Sequence, residues 1–194
     1  MKTIMIDLDE TICSPAYLEE VNRYLGTNYK YEDIDTYFVE DIIPESKRDD
    51  FLDYFYQNLN VYTNAKELPE AIKVIEELTH FYDVYVVSAF VDKRRLDESS
   101  IMAKYKYEWI RANLPFLDPK KFIFTSSKHM VMCDIKIDDK VSNLKGYGET
   151  KLLIDQMHNR KFSFEELERL GIRRVYDWNQ IRSILIGGNE NGLS

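Results

Sequence analysis

Short apolar runs recur along the chain, each closed by polar residues and most followed by a stretch with helical spacing. The first covers residues 2–7, is rich in isoleucine and stops on Asp7. Continuous apolar runs of this length read as strands buried on both faces. Similar runs lie at 84–87, ending at Ser88, at 122–124, ending at Thr125, at 135–137, ending at Asp138 and Asp139, and at 151–155. Between them the period changes. Pro69 opens a helix over 70–79, with Ile72, Ile75 and Leu78 on one face. Further helices are expected over 100–113, closed by Pro115, over 164–170, with Gly171 just past its end, and over 178–185, after Val175-Tyr176. This alternation predicts an α/β fold, a Rossmann-like parallel sheet core flanked by helices.

Residues 15–68 interrupt the alternation. They are crowded with tyrosine, phenylalanine and acids, at helical spacing broken by Gly26 and Pro44. The expected organisation is a core of residues 1–14 and 69–194 and a small helical cap of residues 15–68 inserted after the first strand. With 194 residues, 44% apolar and 31% charged, the chain is long enough for one compact domain plus this insertion. No apolar run approaches the roughly 18 residues of a membrane span. The N-terminus turns acidic too soon for a secretory leader, so a cytoplasmic protein with no membrane partner is expected. Its net charge of -8 argues against a nucleic-acid polymer as partner. Cys13 and Cys133 stand far apart and outside any C-x-x-C pair, which gives zinc and dithiol chemistry no support, and each is expected to be a buried small apolar residue.

In a parallel sheet, ligands bind beyond the carboxyl ends of the strands. The residues expected there are Asp7, Asp9, Ser88, Asp138 and Asp139, with Lys128 in the loop before the last pair. Four carboxylates at close quarters stay ionised only with a cation among them. An all-oxygen donor set suits Mg²⁺ together with a substrate phosphate. On an extended strand residues two apart point to the same side, so Asp7 and Asp9 can both face one phosphorus, one attacking while the other handles the leaving-group proton. Ser88 and Lys128 would hold phosphoryl oxygens.

These residues resemble a known superfamily. Asp7-Leu8-Asp9-Glu10-Thr11-Ile12 resembles the first motif of the haloacid dehalogenase (HAD) superfamily, D-x-D-x-T/V-L/V/I, and Ser88, Lys128 and Asp138-Asp139 resemble its second, third and fourth, in order. The resemblance implies a phosphatase in which Asp7 forms an aspartyl-phosphate and Asp9 is the acid and base. Mg²⁺ would be held by the Asp7 side chain, the Asp9 backbone carbonyl and one carboxylate of Asp138-Asp139. It also implies a cap that closes over a small substrate.

A narrower resemblance is to the 5'(3')-deoxyribonucleotidase branch. It rests on Lys106-Tyr107-Glu108-Trp109, on Thr125-Ser126-Ser127-Lys128, and on Leu153-Ile154-Asp155-Gln156 followed by His158-Asn159. It implies that Lys106 also reaches phosphate, that cap aromatics stack on a nucleobase, with Tyr37, Phe38 and Tyr56 the candidates by position, and that the substrate is a (deoxy)nucleoside monophosphate. Three departures bear on the leaving group rather than on phosphoryl chemistry. Glu10-Thr11 stand where that branch has glycine and valine, Ala89 replaces a hydroxyl residue, and the loop 90–100 is longer.

Each residue also has a plainer reading. Ser88 can be a helix N-cap, Lys128 a solvated lysine, Lys106 a surface helix residue, and the aromatics of 15–68 a core. His129 and His158 have no ligand spacing and read as ordinary loop residues, and Lys93-Arg94-Arg95 as a solvated turn. The alternatives to a nucleotidase are a HAD phosphatase for another small phosphomonoester or a phosphoprotein, and a non-catalytic HAD-like binding module. Either a monomer or a homodimer fits the sequence.

Overall fold

A computed structural model describes residues 1–34, 39–58 and 61–187. Six parallel strands form one sheet: β1 (Thr3–Ile6), β4 (Asp83–Ser88), β5 (Phe122–Phe124), β6 (Ile135–Asp138), β7 (Thr150–Ile154) and β8 (Ile172–Val175). Their spatial order is β5-β4-β1-β6-β7-β8. The chain moves outward from β1 in one direction through β4 and β5, then returns to lay β6, β7 and β8 on the other side. The switch therefore falls between β1 and β6, where such sheets open a crevice. Register makes the strand ends level there: Ile6 pairs with Val86 on one side and Ile137 on the other. Asp7 follows directly, and its N–H donates to the Ile137 carbonyl at 2.9 Å.

The apolar runs are continuous because both faces of the sheet are covered. Ile4 and Ile6 point into the main core with Val84, Val86, Ile135 and Ile137, while Met5 points the other way onto Val87 and Cys133. The main core is closed by three helices, α3 (Ala71–Leu78), α4 (Ser99–Asn113) and α6 (Trp178–Leu185). A smaller cluster of Val141, Leu144, Leu153, Leu167 and Ile172 packs beneath α5 (Phe164–Arg169). Cys13 and Cys133 are both buried and unpaired. No helix among the described residues is long and apolar enough to cross a membrane.

The described residues of the segment 15–68 carry α1 (Tyr17–Leu25), three short 3₁₀ turns and α2 (Arg48–Asn58). Gly26 ends α1 at φ 68°, a left-handed conformation that relieves the helix's last carbonyls at no cost to a residue without Cβ. Several described aromatics here pack on one another: Tyr17 stacks on Phe55 at 5.9 Å, Tyr24 meets Phe51 edge-on at 5.2 Å, and Phe51 and Phe55 are tilted at 5.7 Å. Phe51 and Phe55 join the same hydrophobic cluster as the sheet. The sequence did not reveal the short antiparallel pair that brackets the insertion, β2 (Cys13–Ser14) with β3 (Lys66–Glu67). Two-residue strands have no periodicity to read.

Candidate active site

Three carboxylates converge at the switch point. Oxygen atoms of Asp7, Asp138 and Asp139 lie within 4.8 Å of one another, and all three residues are buried. Lys128 enters this cluster from its own 3₁₀ turn, Lys128–Met130. Its ammonium is ion-paired with Asp7 and lies 3.3 Å from Asp138 Oδ2. At 3% exposure it is no solvated lysine. Gly146 keeps that turn in place. At φ +78° it lies so close to the His129 carbonyl that a Cβ would stand only 2.6 Å from the oxygen.

Burial dominates the electrostatics. It pushes the Asp7 carboxyl up to about 7 and Asp138 up to about 6, against the downward pull of Lys128, and it raises Asp139. Burial alone would lower the Lys128 ammonium, but Asp7 and Asp138 outweigh it and hold the amine above its ordinary value. The cluster thus holds more negative charge than one ammonium balances. Such a compact, all-oxygen, partly uncompensated donor set fits a hard divalent cation.

Asp138 is fixed by Asn143, whose Nδ2 donates to both carboxylate oxygens at 3.0 and 3.1 Å, and by the Lys140 backbone N–H at 2.9 Å. Asp139 is approached by His158 Nε2 at 3.1 Å, and its carbonyl accepts from Asn159 Nδ2 at 2.8 Å. His158 is therefore not the ordinary loop residue its spacing suggested.

The Asp9 carboxylate is not part of the acidic cluster, which leaves its backbone carbonyl as the group expected to face the cation. Strand β1 stops at Ile6, and the chain turns at once, with Glu10 at φ 54°, so the same-side rule of an extended strand no longer applies. The Asp9 carboxylate is gripped by Lys106 Nζ at 2.5 Å on Oδ2 and by the Tyr62 hydroxyl at 2.5 Å on Oδ1. Lys106 is buried on α4 and also donates to Ser88 Oγ at 2.9 Å and to the Ala89 carbonyl. Ser88 is not a helix cap, because α4 begins at Ser99. Gln156 Nε2 donates to the Glu10 carbonyl at 2.8 Å, which ties the turn to the end of β7. The Glu10 carboxyl, pushed up to about 7 by burial, accepts from Ser14 Oγ at 3.0 Å.

A cleft of about 950 Å³ reaches part of this site. Its lining includes Asp9, Lys106 and Asp139 together with the aromatic residues Tyr31, Phe55 and Phe90. Of the three aromatic candidates, Tyr56 lines the cleft, with its hydroxyl donating to Asp92 Oδ2 at 3.2 Å. Tyr37 and Phe38 lie outside the described residues. Two members of the basic triplet make ion pairs, although Lys93 and Arg94 are exposed as a solvated turn would be. Arg94 pairs with Glu40 at 2.6 Å and Asp92 at 3.0 Å, and Arg95 pairs with Asp53 at 2.7 Å, joining the loop after β4 to the insertion. Nothing local in the sequence marks Tyr62 or Asn143, and the motif that contains His158 gives it no role. Their partners come from other segments or, for Asn143, from across a turn.

An acidic, lysine-bridged strand-end site on a parallel α/β sheet is the arrangement expected of a hydrolase of the haloacid dehalogenase superfamily. The family described as 5' nucleotidase, deoxy (pyrimidine), cytosolic type C protein matches residues 1–188, and the chain belongs to it. It is thus a phosphoric monoester hydrolase of the 5'-nucleotidase type. The 5'(3')-deoxyribonucleotidase of Clostridium acetobutylicum is 31% identical over 173 residues, covering 81% of this chain and 84% of that protein. That of Bacillus subtilis is 28% identical over 179 residues, covering 87% and 97%. A putative 5'(3')-deoxyribonucleotidase of Staphylococcus aureus is 29% identical over 160 residues, covering 81% and 84%. Among solved structures, a haloacid dehalogenase-like hydrolase from Xanthomonas campestris superposes with a TM-score of 0.48 at 11% identity, covering 98% of each chain.

Proposed function

We propose that the protein is a Mg²⁺-dependent 5'(3')-deoxyribonucleotidase that removes phosphate from (deoxy)nucleoside monophosphates through an aspartyl-phosphate on Asp7. The observation that carries this reading is the buried cluster of Asp7, Asp138 and Asp139 bridged by Lys128. Family membership and the names of the relatives support the substrate class.

In the first step an Asp7 carboxylate oxygen bonds to phosphorus as the bond to the leaving oxygen breaks, and Asp9 gives that oxygen its proton. In the second, water attacks phosphorus, its proton passes to Asp9, and the Asp7–phosphorus bond breaks. Asp9 ends protonated, as it began. Lys128, Lys106 and Ser88 hold phosphoryl oxygens as charge redistributes, the kind of positioning that dominates phosphoryl transfer. Asp7, the Asp9 carbonyl and the Asp138-Asp139 pair would hold Mg²⁺, which when bound offsets charge on nucleophile and phosphate.

Residues 15–68 act as a cap over the cleft. Tyr56, with Tyr37 and Phe38, supplies surface on which a base can stack, worth about 1–3 kcal/mol per base. A cytoplasmic site of action belongs to the same reading. Phosphate release from a panel of nucleoside monophosphates and sugar phosphates, in Mg²⁺ and in EDTA, tests it. Nucleotides should be hydrolysed fastest, and only with the metal. Faster hydrolysis of a sugar phosphate than of every nucleotide would point to another small phosphomonoester.

A further inference from the structure

Tyr62 belongs to none of the sequence motifs, yet it touches the residue assigned the proton transfers. It is 3% exposed, and its hydroxyl meets Asp9 Oδ1 at 2.5 Å. The other carboxylate oxygen, Oδ2, faces Lys106, which in turn contacts Ser88. Lys106 also lies over the Tyr62 ring, 5.9 Å from its centroid. The two oxygens of Asp9 are therefore inequivalent. One faces a buried phenol, and the other faces the two groups that would contact phosphate.

We propose that Tyr62 is a positioning residue for the reaction: it pins Asp9 Oδ1, so that Oδ2 is the oxygen that carries the proton to the leaving group and takes it back from water. The proposal rests on the acid–base role of Asp9 given above. The Tyr62 hydroxyl has a carboxylate oxygen as its partner, so it is the donor of the pair. Tyr17, on α1, is hydrogen-bonded to Tyr62 and adds a second phenol behind it.

The location of Tyr62 adds a consequence. It stands on the return path from α2 to β3, which is stitched at three points to residues 12–16. Ala16 N–H donates to the Val61 carbonyl at 3.2 Å, β3 pairs with β2, and Leu68 N–H donates to the Ile12 carbonyl at 2.9 Å. The aim of Asp9 is thereby tied to the seating of the insertion. When phosphate enters and Lys106 turns toward it, Oδ2 is released while Oδ1 remains held.

The test compares leaving groups. A nucleoside alkoxide needs a proton as it departs, whereas p-nitrophenolate leaves without one. The value kcat/KM reports the steps up to the first transfer, so its ratio between deoxyuridine monophosphate and p-nitrophenyl phosphate isolates general-acid help. Tyr62→Phe should lower that ratio by about tenfold to a hundredfold, the range for one hydrogen bond to a charged group. Both substrates are read on one preparation, so partial unfolding cancels. Asp9→Asn is the reference. If it leaves the ratio unchanged, the acid–base role itself fails. If it lowers the ratio and Tyr62→Phe does not, the role stands and the Tyr62 proposal is overturned. Replacing Tyr62 by 3-fluorotyrosine and 3,5-difluorotyrosine keeps the ring and alters the donor. The ratio must move along this series, and a constant ratio overturns the proposal even if the phenylalanine variant does not fold.

Discussion

At the scale of single residues, Lys128 shows how the site reconciles opposing demands. Three buried acids sit within 4.8 Å of one another, and only a cation lets them remain there ionised. Lys128 supplies one positive charge between Asp7 and Asp138. Lys128→Ala should therefore raise the barrier by on the order of 2–4 kcal/mol, measured as kcat at saturating Mg²⁺. Turnover close to that of the unmodified protein would remove Lys128 from the phosphate-binding set. Asp7, Ser88, Asp138 and Asp139 were legible in the sequence because each terminates an apolar run, and strand ends in a parallel sheet come to one edge. Asn143 and His158 were not. Asn143 reaches Asp138 across a turn, and His158 reaches Asp139 from the segment after β7. A side chain that acts on another loop leaves no periodic mark.

Among the elements, the loop after β4 is a strap between core and insertion. Arg94 and Arg95 reach Glu40 and Asp53, and Asp92 holds the Tyr56 hydroxyl. Exposed ion pairs of this kind contribute only about 0.2–1 kcal/mol each, so their value to the overall stability is small. Their effect should appear where the cleft meets substrate. The double variant Arg94→Ala, Arg95→Ala should raise KM for a nucleotide several-fold and leave kcat nearly unchanged, in steady-state kinetics at low salt. A fall in kcat with unchanged KM would contradict this. The core helices and five of the six sheet strands were readable from period and punctuation, including the breaks at Gly26 and Pro44; β8 was not, because Arg173 and Arg174 interrupt its apolar run. The β2–β3 pair and the strap were not, because their partners come from distant parts of the chain and only the folded insertion brings them together.

For the whole molecule, the buried acids set a pH dependence with a definite sign. Asp7, Asp138 and Glu10 titrate at about 7, 6 and 7 in the folded protein, each raised by burial. Unfolded carboxyls titrate near pH 4, so between about pH 4 and pH 7 the folded state holds more protons. The contribution of these groups to metal-free stability is then greatest at the acid end and is lost as pH rises through the folded values. A divalent cation binds the ionised acids, so Mg²⁺ should raise the melting temperature more at about pH 8 than at about pH 5. Equal shifts at both would mean that the metal does not bind this cluster.

The central claim is that Asp7 itself takes the phosphoryl group, and trapping that state tests it most directly. Protein mixed with a deoxynucleoside monophosphate and Mg²⁺, quenched in acid within the first turnover and digested, should yield an Asp7 peptide heavier by one phosphoryl group. Asp7→Asn should abolish both that species and turnover. Continued turnover in Asp7→Asn, or a phosphoryl group trapped on another residue, would contradict the account.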